Sequence, residues 1–282
     1  MNRHSRPNDP ARDFCQWPYD RPTAPAVGAL RQDAMLFDIL ADAYPRSCLP
    51  ARLADVQAAA GRFETVWGLK SDGRLLSVEL YFYDYAREDR VRSPSKMRAA
   101  VPGLIAPDLT INDATPYFMW SIELDPTSDQ MVETLDIYCN GFGGTVSGGI
   151  CYAVSNDRAE LKNTYHFFDS HNDRPAILDA MRSNPRFPGM DNLPDFLRPG
   201  AADEATFVVA MKRVRDGVYF SRVRTQAAID LLERARIAEP ISTYLRQTAP
   251  LLDHHLFDVG LDYQDVGDNT VIVTKAAIYG LL

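Results

Sequence analysis

The chain has 282 residues, 46% hydrophobic and 24% charged, with a net charge of −8. That balance builds a sizeable globular core and offers no basic surface to nucleic acid or an anionic membrane. Four scattered cysteines, Cys15, Cys48, Cys139 and Cys151, form no CxxC pair, which excludes a disulfide scaffold and a cysteine zinc site.

Residues 1–27 are polar and proline-containing and carry no hydrophobic periodicity. They read as an irregular lead-in without the apolar stretch of a signal peptide. Nowhere does an apolar run approach the roughly 18 residues of a membrane span, and a cytoplasmic monomer is expected. Residues 28–282 read as one barrel domain. The first helix is predicted from Ala29 to Ala43, where Leu30, Leu36, Ile39 and Leu40 recur at helical spacing. A second starts at Pro50, which the first turn of a helix accepts.

The pattern then changes to period two. Residues 62–70 and 75–85 flank Ser71-Asp72-Gly73-Arg74, the alternation around an Asp-Gly turn that marks a β-hairpin. On its second strand Val78, Leu80 and Phe82 share one face; Ser77, Glu79, Tyr81, Tyr83 and Tyr85 share the other. A helix follows, with Ser93 as N-cap and Pro94 at its first position. The second hairpin is predicted over 117–125 and 132–140. A glycine-rich connection, GFGGTVSGG, leads directly to the third, over 149–155 and 160–168. Helical, proline-rich sequence fills 174–200. The fourth hairpin pairs 206–214 with 217–223 around Asp216-Gly217; Thr225 caps a helix, another spans about 240–249, and the last hairpin joins 256–263 to 270–279.

Five hairpins with helices between them predict an α+β fold: a closed, antiparallel, ten-stranded barrel with the helices outside. Each helix needs an apolar partner on the sheet, so the polar and aromatic strand faces turn inward. Closure removes both sheet edges. The lumen then becomes the site. Ten of the thirteen tyrosines fall in the predicted strands, and the parity of Tyr81, Tyr83 and Tyr85 makes an aromatic cage that would stabilise a cation by its ring faces. Lys70, Lys162, Arg215, Arg222 and Lys275 lie in or at the ends of strands; convergence of several would create an anion site for a diphosphate. Glu64, in FETVW, is the candidate proton acceptor, set beside Phe63, Val66 and Trp67. The glycine-rich connection lacks the GK[ST] ending of a P-loop, and His166, His254 and His255 have no metal-motif partner.

This layout resembles the ABBA-type aromatic prenyltransferases over about residues 30–282, and in length and hairpin order the branch that modifies cyanobactin-type peptides. FETVW resembles the strand that carries a catalytic glutamate, implying that role for Glu64. LKNTYHFF, RDGVYF and TKAAIY resemble lumen-facing strands, implying substrate-binding roles for Tyr165, Tyr219, Arg215 and Lys275. Lys70, Tyr81, Tyr83, Tyr138, Lys162, Asn163 and Tyr279 complete the candidate set. The family's Lys-x-Tyr pairs are replaced here by Asn163-Thr164-Tyr165 and Gly217-Val218-Tyr219. The resemblance implies transfer of a dimethylallyl or longer isoprenyl group from its diphosphate to an aromatic small molecule or a peptide side chain. No cofactor is obligatory; Mg²⁺ enters, if at all, with the diphosphate. The alternative expectation is a non-catalytic barrel that binds a hydrophobic or peptide ligand.

Overall fold

Alternation of apolar and polar residues over short runs, punctuated by turns such as that at Asp72-Gly73, produces ten strands in the computed structural model of the chain, which describes residues 28–84, 90–141, 147–268 and 270–282. They are β1 (Val66–Ser71), β2 (Leu76–Tyr83), β3 (Tyr117–Leu124), β4 (Leu135–Asn140), β5 (Ser147–Val154), β6 (Ala159–Asp169), β7 (Thr206–Lys212), β8 (Asp216–Arg224), β9 (Leu256–Asp265) and β10 (Val271–Leu281). Each pairs antiparallel with its neighbours in sequence, and β1 pairs with β10 from Val66↔Leu281 to Ser71↔Ala276. The barrel is closed. All five expected hairpins are present at the expected places. At the first turn the Asp72 carboxylate accepts the amides of Arg74 and Leu75, both at 2.9 Å, and Gly73 takes the left-handed φ of 86° that such a turn requires.

Six α-helices lie on the outside among the described residues: α1 (Gln32–Ala43), α2 (Leu49–Ala60), α3 (Pro94–Ala100), α4 (Arg174–Ser183), α5 (Thr225–Ala235) and α6 (Glu239–Leu252). Ser93 caps α3 as expected, its Oγ accepting the amide of Lys96. At α5 the cap position is Arg224 rather than Thr225; the Thr225 hydroxyl instead donates to the Leu252 carbonyl at 3.0 Å, tying α5 to the end of α6. No helix among the described residues is long and apolar enough to cross a membrane.

Strand alternation sorts the side chains into two clusters. Val78, Leu80, Phe82, Trp120, Phe207, Phe220 and Ile278 face outward into the core shared with the helices. Val66, Tyr81, Met119, Tyr138 and Tyr279 face inward with Tyr165 and Tyr219. The first strand is shorter than expected. Phe63 adopts a left-handed φ of 64° and its amide is held by the Leu282 carbonyl at 2.7 Å, so the chain turns before β1 and leaves Glu64 off the strand. The expected lead-in over 1–27, with Cys15, lies outside the described residues, as do Tyr85, expected to face inward, and the middle of the glycine-rich connection.

Candidate functional site

The second strand of every hairpin sends a tyrosine to one level of the lumen, Tyr81, Tyr138, Tyr165, Tyr219 and Tyr279, and β2 sends Tyr83 inward as well. The rings of the first five close a circuit. Centroid separations are 6.4 Å for Tyr81–Tyr138, 6.0 Å for Tyr138–Tyr165, 6.1 Å for Tyr165–Tyr219, 6.1 Å for Tyr219–Tyr279 and 5.8 Å for Tyr279–Tyr81. Glycines make the room. Gly68 stands across from Tyr279 and Gly260 across from Tyr219, and a Cβ at either would lie 2.6 Å from the facing ring. Burial pushes the phenols of Tyr81, Tyr138, Tyr165 and Tyr279 well above their ordinary value, so all four are neutral.

This girdle divides the lumen into two chambers, and all five tyrosines line both. The first, about 410 Å³, is charged, with Lys70, Lys162, Lys212, Arg213, Arg215 and Lys275 facing Glu79, Glu123, Asp136, Glu160 and Asp262. The tyrosine hydroxyls turn toward it. Tyr81 donates to Glu79 at 2.7 Å, Asn163 donates to the Tyr165 hydroxyl at 2.9 Å, and Lys212 to that of Tyr219 at 3.1 Å. The second chamber, about 440 Å³, is lined by Val66, Tyr83, Phe118, Met119, Phe167 and Val208 below the girdle, with Asn140, Thr206, Ser221 and Asp258 as its polar groups.

Each lysine of the charged chamber meets a carboxylate. Lys70 pairs with Glu79, Lys162 with Asp136 and Lys212 with Asp262, while Lys275 lies 3.3 Å from Glu123. Ser121 also donates to Glu79, giving that buried carboxylate donors on both oxygens. Burial pushes the Lys70 ammonium down to about 7 against the pull of Glu123, with Lys275 and Lys162 adding repulsion. Burial works the same way on Lys212 and Lys162, but there Asp262 and Asp136 prevail and raise both ammonium groups. Burial would raise Glu123; Lys70 and Lys275 outweigh it and hold that carboxyl well below its ordinary value.

The barrel thus brings together Lys70, Tyr81, Tyr138, Lys162, Asn163, Tyr165, Arg215, Tyr219, Lys275 and Tyr279 around the charged chamber, and Tyr83 in the apolar one. Two expected residues fall elsewhere. Glu64 lines neither chamber: its side chain is 38% exposed and its carboxylate pairs with Arg92. Arg222 does not join the other cations; it lies in a bulge of β8, where its backbone amide donates to Asp258. Among the inward residues that the sequence reading passed over are Lys212, Asp136, Asp262 and Asp258. A signal for the last two was present: LFDVGLDY sets Asp258, Gly260 and Asp262 on one face against Phe257, Val259, Leu261 and Tyr263 on the other.

The arrangement can hold an amphipathic molecule with an anionic head among the lysines and an apolar body passing the tyrosine girdle. Among the described residues no group of three or more His, Cys, Asp or Glu side chains is placed to bind a metal ion. Comparison of the chain with protein-family models and with curated proteins returns no match to either.

Proposed function

We propose that the barrel transfers an isoprenyl group from an allylic diphosphate to an aromatic acceptor. The observation that carries this reading is the closed ring of five tyrosines between a lysine-lined chamber and an apolar, aromatic one. The diphosphate sits with Lys212, Lys162, Lys275 and Lys70, and the isoprenyl chain passes into the girdle. When the carbon–oxygen bond breaks, both electrons leave with the diphosphate and the ammonium groups stabilise the charge that develops there. The allyl cation is then surrounded by neutral aromatic faces, which stabilise it and keep water from capturing it. The acceptor, in the apolar chamber, attacks from the other side. Glu64 has no part in this scheme, because its carboxylate lies outside both chambers.

The carboxylates among the lysines favour a donor that arrives as its Mg²⁺ complex. Mg²⁺ is commonly held by one or two carboxylates together with phosphate oxygens, and Glu123 and Asp262 fit that role once Lys275 and Lys212 turn to the phosphate. Calorimetric titration with dimethylallyl thiolodiphosphate, with and without Mg²⁺ and beside its geranyl counterpart, tests the reading. Saturable binding is expected, weakened about tenfold or more in Lys212→Ala through loss of one charged contact. Absence of binding to either analogue overturns it. A non-catalytic ligand-binding barrel is then the better description, a second reading that the pairing of every lysine with a carboxylate favours.

A further inference from the structure

Glu79 ties the charged chamber to the girdle. It lines that chamber from β2 and is 3% exposed. Its donors come from four adjacent strands. Lys70 of β1 and Tyr81 of β2 donate to Oε2, the tyrosine at 2.7 Å. Ser121 of β3 donates to Oε1, and the Tyr138 hydroxyl of β4 lies 3.4 Å from the same oxygen. Tyr81 and Tyr138 are neighbours in the ring of five, so one arc of the girdle hangs from one buried charge. Hydrogen bonds to an ionised acceptor are about twice as strong as neutral ones, and a carboxylate out of water cannot exchange its donors for solvent. The opposite arc has its own tie: Lys212, paired with Asp262, donates to the Tyr219 hydroxyl at 3.1 Å. The lysines that face an incoming anion thus also hold the girdle, directly at Tyr219 and through Glu79 at Tyr81 and Tyr138.

We propose that Glu79 is a positioning residue that links the two chambers: an anion bound among the lysines fixes Tyr81 and Tyr138 through Glu79, and so tightens the binding of an aromatic ring in the apolar chamber. An ammonium group has three N–H donors, so Lys70 can bridge Glu79 and a phosphate oxygen at once. That bridge removes freedom from the chain Lys70–Glu79–Tyr81, and Lys212 does the same at Tyr219. A ring that then packs against the girdle from the apolar side finds it already ordered and binds at a smaller entropic cost. This is positive coupling without a change of shape. It gives transfer an order of events, because the acceptor is held firmly only once the diphosphate is in place. The inference rests on the diphosphate site of the transfer reading and not on its chemical step.

The test titrates the full chain with indole, alone and under saturating inorganic pyrophosphate, with Mg²⁺ present throughout. It is run below about pH 7, where Lys70 carries its proton. Pyrophosphate has no tail to enter the girdle, so any effect on indole passes through the lining side chains. Indole affinity is expected to rise about fivefold or more, and by reciprocity indole raises pyrophosphate affinity by the same factor. In Glu79→Gln a charge that competes with the anion for Lys70 is gone. Pyrophosphate should then bind at least as tightly, while its effect on indole falls to a factor of about one. A general loosening of the barrel would instead weaken both ligands, which separates positioning from a merely structural role. Should Glu79→Gln fail to fold, Tyr81→Phe keeps the ring, removes its bond to Glu79 and should lower the enhancement while indole still binds. Two ligands that bind the native protein without affecting each other, or an enhancement that survives these substitutions, overturn the proposal and leave the transfer reading standing. Absence of indole binding under both conditions overturns it as well. Failure of pyrophosphate to bind removes the diphosphate site together with the link built on it.

Discussion

Gly260→Ala is the sharpest probe of the tyrosine girdle. A methyl group there would sit 2.6 and 2.7 Å from Cε1 and Cδ1 of Tyr219 and 3.3 Å from the Tyr279 hydroxyl, about 1 Å inside the optimum for carbon–carbon contact. The ring cannot simply swing aside, because Tyr165 and Tyr279 flank it at 6.1 Å each. Overpacking of this kind costs roughly 1–3 kcal/mol. Replacing a glycine whose φ is not left-handed returns about 0.4–1 kcal/mol through the unfolded chain, so a net loss of about 1–2 kcal/mol is expected. In a protein of this size that lowers Tm by roughly 2–8 °C. Calorimetric unfolding of Gly260→Ala, Tyr219→Ala and the double variant measures the coupling directly. Once the ring is gone the added methyl has nothing to strike, so the double variant should be about 1–3 kcal/mol more stable than the sum of the single changes predicts. Simple additivity, or a Gly260→Ala protein as stable as the native one, would refute the account of how the girdle is seated.

Two further outcomes are expected. Lys70 carries its proton below about pH 7 and loses it above; with Glu79, Glu123, Lys275, Lys162 and Lys212 around it, its charge adds to anion binding only on the acid side. Thiolodiphosphate affinity should therefore fall as pH rises through about 7, with proton uptake visible as a dependence of the binding heat on buffer ionisation enthalpy. An identical pH profile in Lys70→Met would remove Lys70 as the cause. Glu64→Gln should change stability by no more than about 1 kcal/mol, since it weakens one partly exposed ion pair, and should leave the binding of thiolodiphosphate and of indole as it was; a tenfold loss of either in titration would return Glu64 to the site.

The hairpins were legible because their signals are local. An Asp-Gly turn between alternating runs declares itself within about ten residues, as at Asp72-Gly73; at the fourth hairpin Asp216-Gly217 opens β8 instead, and the chain turns over residues 213–215. From there the inward tyrosines follow by parity, once the helices are assigned to the outside. What stayed hidden depends on register between distant strands. Lys212 meets Asp262 across β7, β8 and β9, fifty residues apart in sequence, and no local pattern announces that a lysine at a strand end will find a buried carboxylate. Glu64 misled for the opposite reason. FETVW continues the alternation in letters, but the left-handed Phe63 breaks it in space. Asp258 was visible as a polar residue in an alternating strand; its anchoring by a bulge of the neighbouring strand was not.

The seam between β1 and β10 also governs how the molecule comes into being. Trp67 donates its indole N–H to the Leu281 carbonyl at 2.9 Å, Gln32 of α1 accepts the Leu281 amide, and the Leu282 carbonyl receives the amide of Phe63. Helices and hairpins can form one after another during synthesis, each from nearby sequence. Joining residues 66–71 to 276–281 closes a loop of some two hundred residues, an entropically slow step that has to wait for the final strand. Until then β1 waits with one row of amides and carbonyls unmatched, beside a lumen already lined with lysines and tyrosines. Such an unpaired edge is a template for wrong partners, and pairing with β10 is what removes it.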